Sequence, residues 1–208
     1  MIPFILILTL LLSLSACGQN KDEKASVEVK SSTVQEYTDS NSDGAKILVA
    51  YFSQTGHTRP LAEHAAEILH ADLYEIKAAD PYTEADINYG DSESRTSKEQ
   101  NDPDVRPEIA GSVENMEQYD IVFLGYPIWW GDMPMAVYTF MESYDWSGKV
   151  VIPFCTHEGS GLSGTDSSIA SVTGAQVLTA IDMRGSTAQK LNDDTKQTVR
   201  TWLDDLGF

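Results

Sequence analysis

Lys46-Ile47-Leu48-Val49-Ala50-Tyr51-Phe52-Ser53-Gln54-Thr55-Gly56-His57-Thr58 decides how this chain is read. Its apolar first half predicts a buried strand, and Pro60 just beyond it suits the first turn of a helix. A strand that passes through a hydroxyl- and glycine-bearing turn into a helix assembles an anion site. Backbone N–H groups converge there, and the helix N-terminus adds partial positive charge. Ser53, Thr55 and Thr58 can add hydroxyl donors, and Gly56 permits a positive-φ turn. The turn carries no Lys or Arg, unlike a P-loop, so the guest it suits is a phosphate held by neutral donors. An ordinary strand–turn–helix with a good N-cap accounts for the same residues, and the rest of the chain must decide.

Outward from that stretch, strand and helix patterns alternate. Leu61, Ala65, Ile68 and Leu69 recur at helical spacing between Pro60 and His70. Asp72–Lys77 alternates like a partly exposed edge strand, Tyr119–Gly125 reads as a central strand, and Lys149–Phe154 and Gln176–Ile181 as two more. A helix is predicted over Pro134–Tyr144, and a closing one within Gly185–Leu206 with Leu191, Val199, Trp202 and Leu203 on its apolar side. The polar stretch from Ala79 to about Ile109, with Pro81, Pro103 and Pro107, is long for a loop. It predicts a helical turn or two and a cover over a site. Five strands alternating with helices imply a parallel sheet covered on both faces.

Ligands of such sheets sit at the carboxyl ends of the strands. Three loops meet at that edge: Ser53–Thr58, Tyr126–Gly131 and Thr156–Gly164. In the second, Tyr126-Pro127-Ile128-Trp129-Trp130-Gly131 places aromatics where loops usually carry small polar residues. Either indole alone can pack on the following helix or the sheet edge. Two adjacent tryptophans are better explained by a flat apolar guest, and an isoalloxazine ring fits.

These blocks resemble the flavodoxin family, most closely its branch of bacterial lipoproteins and small oxidoreductases. The resemblance rests on Ser53–Thr58, Arg106-Pro107-Glu108, Tyr119–Trp130, Asp145-Trp146-Ser147-Gly148-Lys149 and Pro153–Gly161, and spans nearly all of Lys46 to Ile181. It implies a flavodoxin-like α/β sandwich of the short-chain form, with a five-stranded parallel sheet in the order 2-1-3-4-5. It also implies FMN as a non-covalent cofactor. The phosphate would rest on Ser53, Gln54, Thr55, Gly56, His57 and Thr58. The ring would lie between Tyr126, Pro127, Ile128, Trp129 and Trp130 on one side and Thr156, His157, Gly159, Ser160 and Gly161 on the other. Within that frame the Trp130–Gly131 peptide is a place where a carbonyl can turn toward the reduced ring.

Other residues keep two readings. His57 offers phosphate its backbone N–H rather than its ring. His157 can donate to flavin or substrate, or be a solvated loop histidine. Cys155 reads as a small core residue more readily than as a redox thiol. Arg106 either pins the cover or touches cofactor. Asp145-Trp146 predicts a structural turn. Ser160 lacks the partner pattern of a hydrolase, and the four histidines lack metal spacing.

The N-terminal end predicts an address. Residues 1–16 are apolar and uncharged, short for a membrane span and suited to a signal peptide. Leu14-Ser15-Ala16-Cys17 resembles a bacterial lipobox, which implies a lipidated Cys17 and a protein exported to the cell envelope. Residues 17–45 are polar and predict a disordered tether ahead of a single domain at 46–208. Three lysines face six carboxylates in that tether, so −15 of the formal charge of −18 falls on the domain. That sign excludes nucleic acid as a partner and disfavours charge-driven docking on anionic lipid. It also lowers the potential at which a bound flavin takes its second electron. Two functions follow from the resemblance. One is electron transfer, or NAD(P)H-dependent reduction of a small acceptor such as a quinone. The other is a non-catalytic surface lipoprotein that binds flavin or another phosphorylated ligand.

Overall fold

The computed structural model describes residues 44–208. The expected signal segment, Cys17 and almost all of the tether lie outside the described residues.

The first strand, β1 (Ile47–Phe52), is buried on both faces, as its unbroken apolar run requires. Leu48, Ala50 and Phe52 enter one core and Val49 and Tyr51 the other. Parallel neighbours flank it: β2 (Asp72–Ala78) pairs Val49 with Leu73, and β4 (Ile121–Pro127) pairs Val49 with Phe123. Next comes β5 (Val150–His157), which pairs Tyr126 with Cys155 and Pro127 with Thr156. That register brings the second and third loops side by side at the carboxyl edge.

Helices cover both faces. On one side α1 (Arg59–Leu69) buries Leu61, Ala62, Ala65 and Ala66 beside α6 (Asp193–Leu206), which buries Val199, Trp202, Leu203 and Leu206. On the other, α3 (Met135–Glu142) buries Ala136, Val137, Phe140 and Met141. Each fully buried aromatic or aliphatic side chain contributes about 1.5–3 kcal/mol. The tip of the Phe154 ring sits at Gly125, where an added Cβ would meet it at 2.2 Å, so this central strand position admits only glycine.

The α/β sandwich is as expected, and the strand count differs in two places. A two-residue strand, β3 (Ile109–Ala110), adds antiparallel to the outer edge of β2 at Lys77 and Ala78. The fifth strand position is filled by two short pieces, β6 (Gln176–Val177) and β7 (Ile181–Arg184), both parallel to β5. The break has a cause: the Thr179 carbonyl leaves the ladder to accept from Trp202 Nε1 at 3.1 Å.

The closing helix is also divided. A single turn, α5 (Gly185–Ala188), ends before Leu191, which adopts φ 39°. Asn192 then caps α6 by accepting from the Thr195 N–H at 2.9 Å. Leu191 therefore packs on the core from outside the helix. The polar segment holds α2 (Arg95–Asn101), and α4 (Thr165–Thr173) follows the third loop.

A cleft built by three loops

The turn after β1 satisfies the helix before any guest is considered. Ser53 Oγ accepts from the Arg59 N–H at 3.1 Å, so its own proton is left to donate elsewhere. Gly56 sits at φ 81°, the left-handed conformation its sequence position anticipates. Among the described residues, the backbone N–H groups of Gln54, Thr55, Gly56, His57 and Thr58 donate to no protein acceptor. Five consecutive unpaired N–H groups ahead of a helix form an anion-binding nest. Arg59 adds no cation to it, because its guanidinium is spent on Glu75 and packs near the Tyr51 ring.

Thr58 ties this turn to the third loop. Its Oγ1 lies 2.8 Å from Thr156 Oγ1, with both side chains buried. Two hydroxyls share one hydrogen bond, so one proton of the pair has no acceptor among the described residues. Thr58 therefore does not cap α1 by its side chain. Gln54 faces the other way: its Nε2 donates to the Tyr82 carbonyl at 2.7 Å and pins the covering segment.

The two tryptophans divide the labour. Trp129 is 3% exposed and meets Phe52 and Tyr82 edge-on at 5.4 and 5.5 Å, so it is a core residue. Trp130 is 37% exposed and opens onto the cleft. Reciprocal backbone bonds between Trp129 and Asp132, at 2.8 and 2.9 Å, make Trp130 and Gly131 the tip of a tight turn. Both tip residues have positive φ, 51° and 82°, which glycine tolerates and tryptophan adopts at some cost. Tyr126 is wholly buried with its hydroxyl 2.8 Å from Thr165 Oγ1, so it supports the loop from below.

The third loop is held by His157. Its Nδ1 accepts from the Gly159 N–H at 2.8 Å, which assigns the proton to Nε2, and Nε2 donates to Asp182 at 2.8 Å. His157 thus orients the loop, and both of its ring nitrogens are occupied. Cys155 is fully buried and its thiol is pushed up to about 12 by burial, with Asp182 adding to it, so it is a core residue and no thiolate. Arg106 makes a two-pronged bond to Glu142 at 2.7 Å and donates to the Pro103 and Val105 carbonyls. It pins the cover to α3 rather than touching the cleft. Trp146 Nε1 donates to the Met141 carbonyl at 2.6 Å, the structural turn its neighbours predicted.

Between the loops lies a cleft of about 520 Å³. Of the expected site residues, Thr55, His57, Pro127, Ile128, Trp129, Trp130, Thr156, His157, Gly159 and Ser160 line it. Ser53, Gln54, Gly56, Thr58, Tyr126 and Gly161 shape it from behind. Four lining residues lie outside the expected set: Tyr89, Gly131, Glu158 and Gly185. Gly185 had no sequence signal; an added Cβ there would meet His57 Nδ1 at 2.5 Å and Glu158 Oε1 at 2.8 Å. Among the described residues no cluster of three metal-ligating side chains occurs.

The residues fit a phosphorylated flat ligand. The unpaired N–H groups of the Gln54–Thr58 turn suit an anion, and the same cleft is lined by an exposed indole with apolar Pro127 and Ile128. Comparison with known proteins agrees. The flavodoxin family profile matches residues 46–206. The crystal structure of a candidate flavoprotein from Bacteroides eggerthii DSM 20697 is 38% identical, with a TM-score of 0.69 over 79% of this chain and 99% of that one. A second candidate flavoprotein, from Bacteroides uniformis ATCC 8492, is 36% identical, with a TM-score of 0.69 over 77% and 99%. A flavoprotein from Lactobacillus acidophilus NCFM, crystallised with FMN, shares the fold at 24% identity and a TM-score of 0.52, over 71% and 98%. No curated protein matches the chain. The chain belongs to the flavodoxin family.

Proposed function

We propose that residues 46–208 hold FMN in the three-loop cleft and use it in NAD(P)H-dependent reduction of a small acceptor such as a quinone. The observation that carries this reading is the run of five unpaired backbone N–H groups, Gln54 to Thr58, in a turn whose Thr55 and His57 line the same cleft as the exposed Trp130. FMN supplies the chemistry when bound, accepting electrons and passing them on.

The chain's own residues bind, orient and shield. The N–H groups, the Ser53 hydroxyl and the spare proton of the Thr58–Thr156 pair receive the phosphate. Trp130 and Ile128 keep water from the ring. The His157 bridge from Gly159 to Asp182 ties the third loop to β7. The acidic field of the domain disfavours added negative charge and holds the cofactor's potential low. The cover, pinned through Gln54, Gln100 and Arg106, leaves the mouth of the cleft room for a small molecule.

Export and a lipid anchor at Cys17 complete the proposal. They rest on the Leu14-Ser15-Ala16-Cys17 sequence, and no helix among the described residues is long and apolar enough to cross a membrane. The test is anaerobic. FMN-loaded protein mixed with NADH or NADPH should lose its visible flavin absorption and regain it on addition of menadione. A flavin that stays oxidised with both nucleotides would instead indicate a carrier fed by a protein, or a binder without turnover.

A further inference from the structure

Tyr89 lies in the segment that covers the cleft, and little of the sequence around it points to a role. The segment is fastened on both sides of it. Before it, Gln54 Nε2 holds the Tyr82 carbonyl and the Tyr82 hydroxyl donates to Glu99 at 2.8 Å. After it, Gln100 Nε2 donates to the Met133 carbonyl at 2.9 Å. Between these anchors the chain makes short local turns, and Tyr89 stands at their outer end with 59% of its surface exposed. An exposed tyrosine at such a place would normally point into water. This one lies on Trp130 instead, ring centroids 4.3 Å apart and planes tilted by 34°. Partial desolvation and the nearby Glu158 carboxylate push its phenol up to about 12.

We propose that Tyr89 sets the acceptor class: with Trp130 it forms an aromatic wall at the cleft mouth that receives a small, planar, uncharged ring of the quinone type. The shape comes from the stacked pair, and the charge from its surroundings. No lining residue is Lys or Arg, and Glu158 is one of them. Residues 79–94 carry five carboxylates and no basic residue. Arg184 touches the third loop through the Glu158 carbonyl at 3.1 Å and is not among the lining residues. A ring bearing a sulfonate or phosphate therefore meets repulsion at the mouth, and a neutral ring does not. A quinone bound there takes two electrons and one proton, the hydride equivalent that a reduced pyridine nucleotide supplies by way of the flavin, and one further proton from solvent, and leaves as a hydroquinone. The inference rests on the proposed flavin site for its place in a reaction, and on the Tyr89–Trp130 geometry for binding.

The experiment is an equilibrium titration of the full-length protein, with and without FMN, followed by tryptophan fluorescence. The probes are menadione and 1,4-naphthoquinone-2-sulfonate. Wild type should bind menadione, and Tyr89→Ala should weaken it about five- to tenfold while Tyr89→Phe stays within twofold. The sulfonate should bind more weakly than menadione, and Glu158→Gln should narrow that gap. Because Tyr89 is exposed, the alanine variant should keep the wild-type melting temperature. A Tyr89→Ala affinity within twofold of wild type, or no menadione binding by wild type, overturns the proposal. FMN saturation, read from the visible spectrum, judges the flavin site separately. Tyr89-dependent menadione binding without FMN binding would remove the proposed function and leave this ring site standing.

Discussion

Thr58 and Thr156 provide a sharp perturbation, because each hydroxyl is the other's partner. Their side chains are 1% and 2% exposed and their oxygens 2.8 Å apart. Thr58→Val keeps the shape and removes one hydroxyl, which leaves Thr156 Oγ1 buried without its partner. The lost bond and the stranded group together cost about 1–3 kcal/mol. For a domain of this size that is a fall of roughly 2–4 °C in melting temperature per kcal/mol. Thr156→Val should cost a similar amount for the same reason. The double variant Thr58→Val with Thr156→Val strands nothing, so it should be less destabilised than the two single losses added together. The coupling energy expected is on the order of 1 kcal/mol or more. Urea unfolding of the four proteins without FMN measures it. Titrated with FMN, the double variant should lose affinity, because it lacks the hydroxyl proton left for phosphate, while each single variant keeps one hydroxyl free to donate. Strictly additive stability losses would refute the shared hydrogen bond. Unchanged FMN affinity in the double variant would refute its part in phosphate binding.

Three further outcomes follow from other parts of the chain. In a Cys17→Ser background, Cys155 should not react with Ellman's reagent in the folded protein and should react fully in urea; rapid reaction when folded would contradict its burial and raised thiol pKa. The Glu142 carboxyl is held below its ordinary 4.5 by the hydrogen bonds from Arg106, so the stabilisation it brings is present above about pH 4.5 and lost as pH falls through the lowered value. Glu142→Gln should therefore cost about 0.5–1 kcal/mol at neutral pH, solvent screening keeping it small, and almost nothing in strong acid; a cost independent of pH would contradict the ion pair. Cys17→Ser expressed in a bacterial host should move the protein from the detergent-soluble membrane fraction to the soluble one, and an unchanged distribution would count against lipidation.

Much of the site was legible because local chemistry determines it. The run Lys46–Phe52 can only be a strand covered on both faces, and Gly56 with its hydroxyl neighbours builds the nest from adjacent residues. The closing helix was misjudged at Leu191, although Asn192-Asp193-Asp194 is a good start signal for a second helix. α4 left little trace because Thr165-Asp166-Ser167-Ser168 favours caps and turns over helix, and Gly164 and Gly174 bound it at both ends. The split fifth strand depends on Trp202 reaching Thr179, a contact 23 residues apart in the chain. Trp129 and Trp130 could not be told apart in sequence, because a two-residue turn sends adjacent side chains to opposite environments. Tyr89 and Gly185 reach the cleft only through tertiary contacts, one through the anchored cover and the other through β7 pairing with β5.

The central claim is that FMN binds with its phosphate on the Gln54–Thr58 turn and its ring against Trp130. Titrating the protein with FMN while following tryptophan fluorescence tests it most directly. The account predicts saturation at one FMN per chain, with quenching that shrinks sharply in Trp130→Phe and an affinity lowered by millimolar inorganic phosphate. A chain that shows no saturable quenching, or one whose quenching is the same in Trp130→Phe, would contradict it.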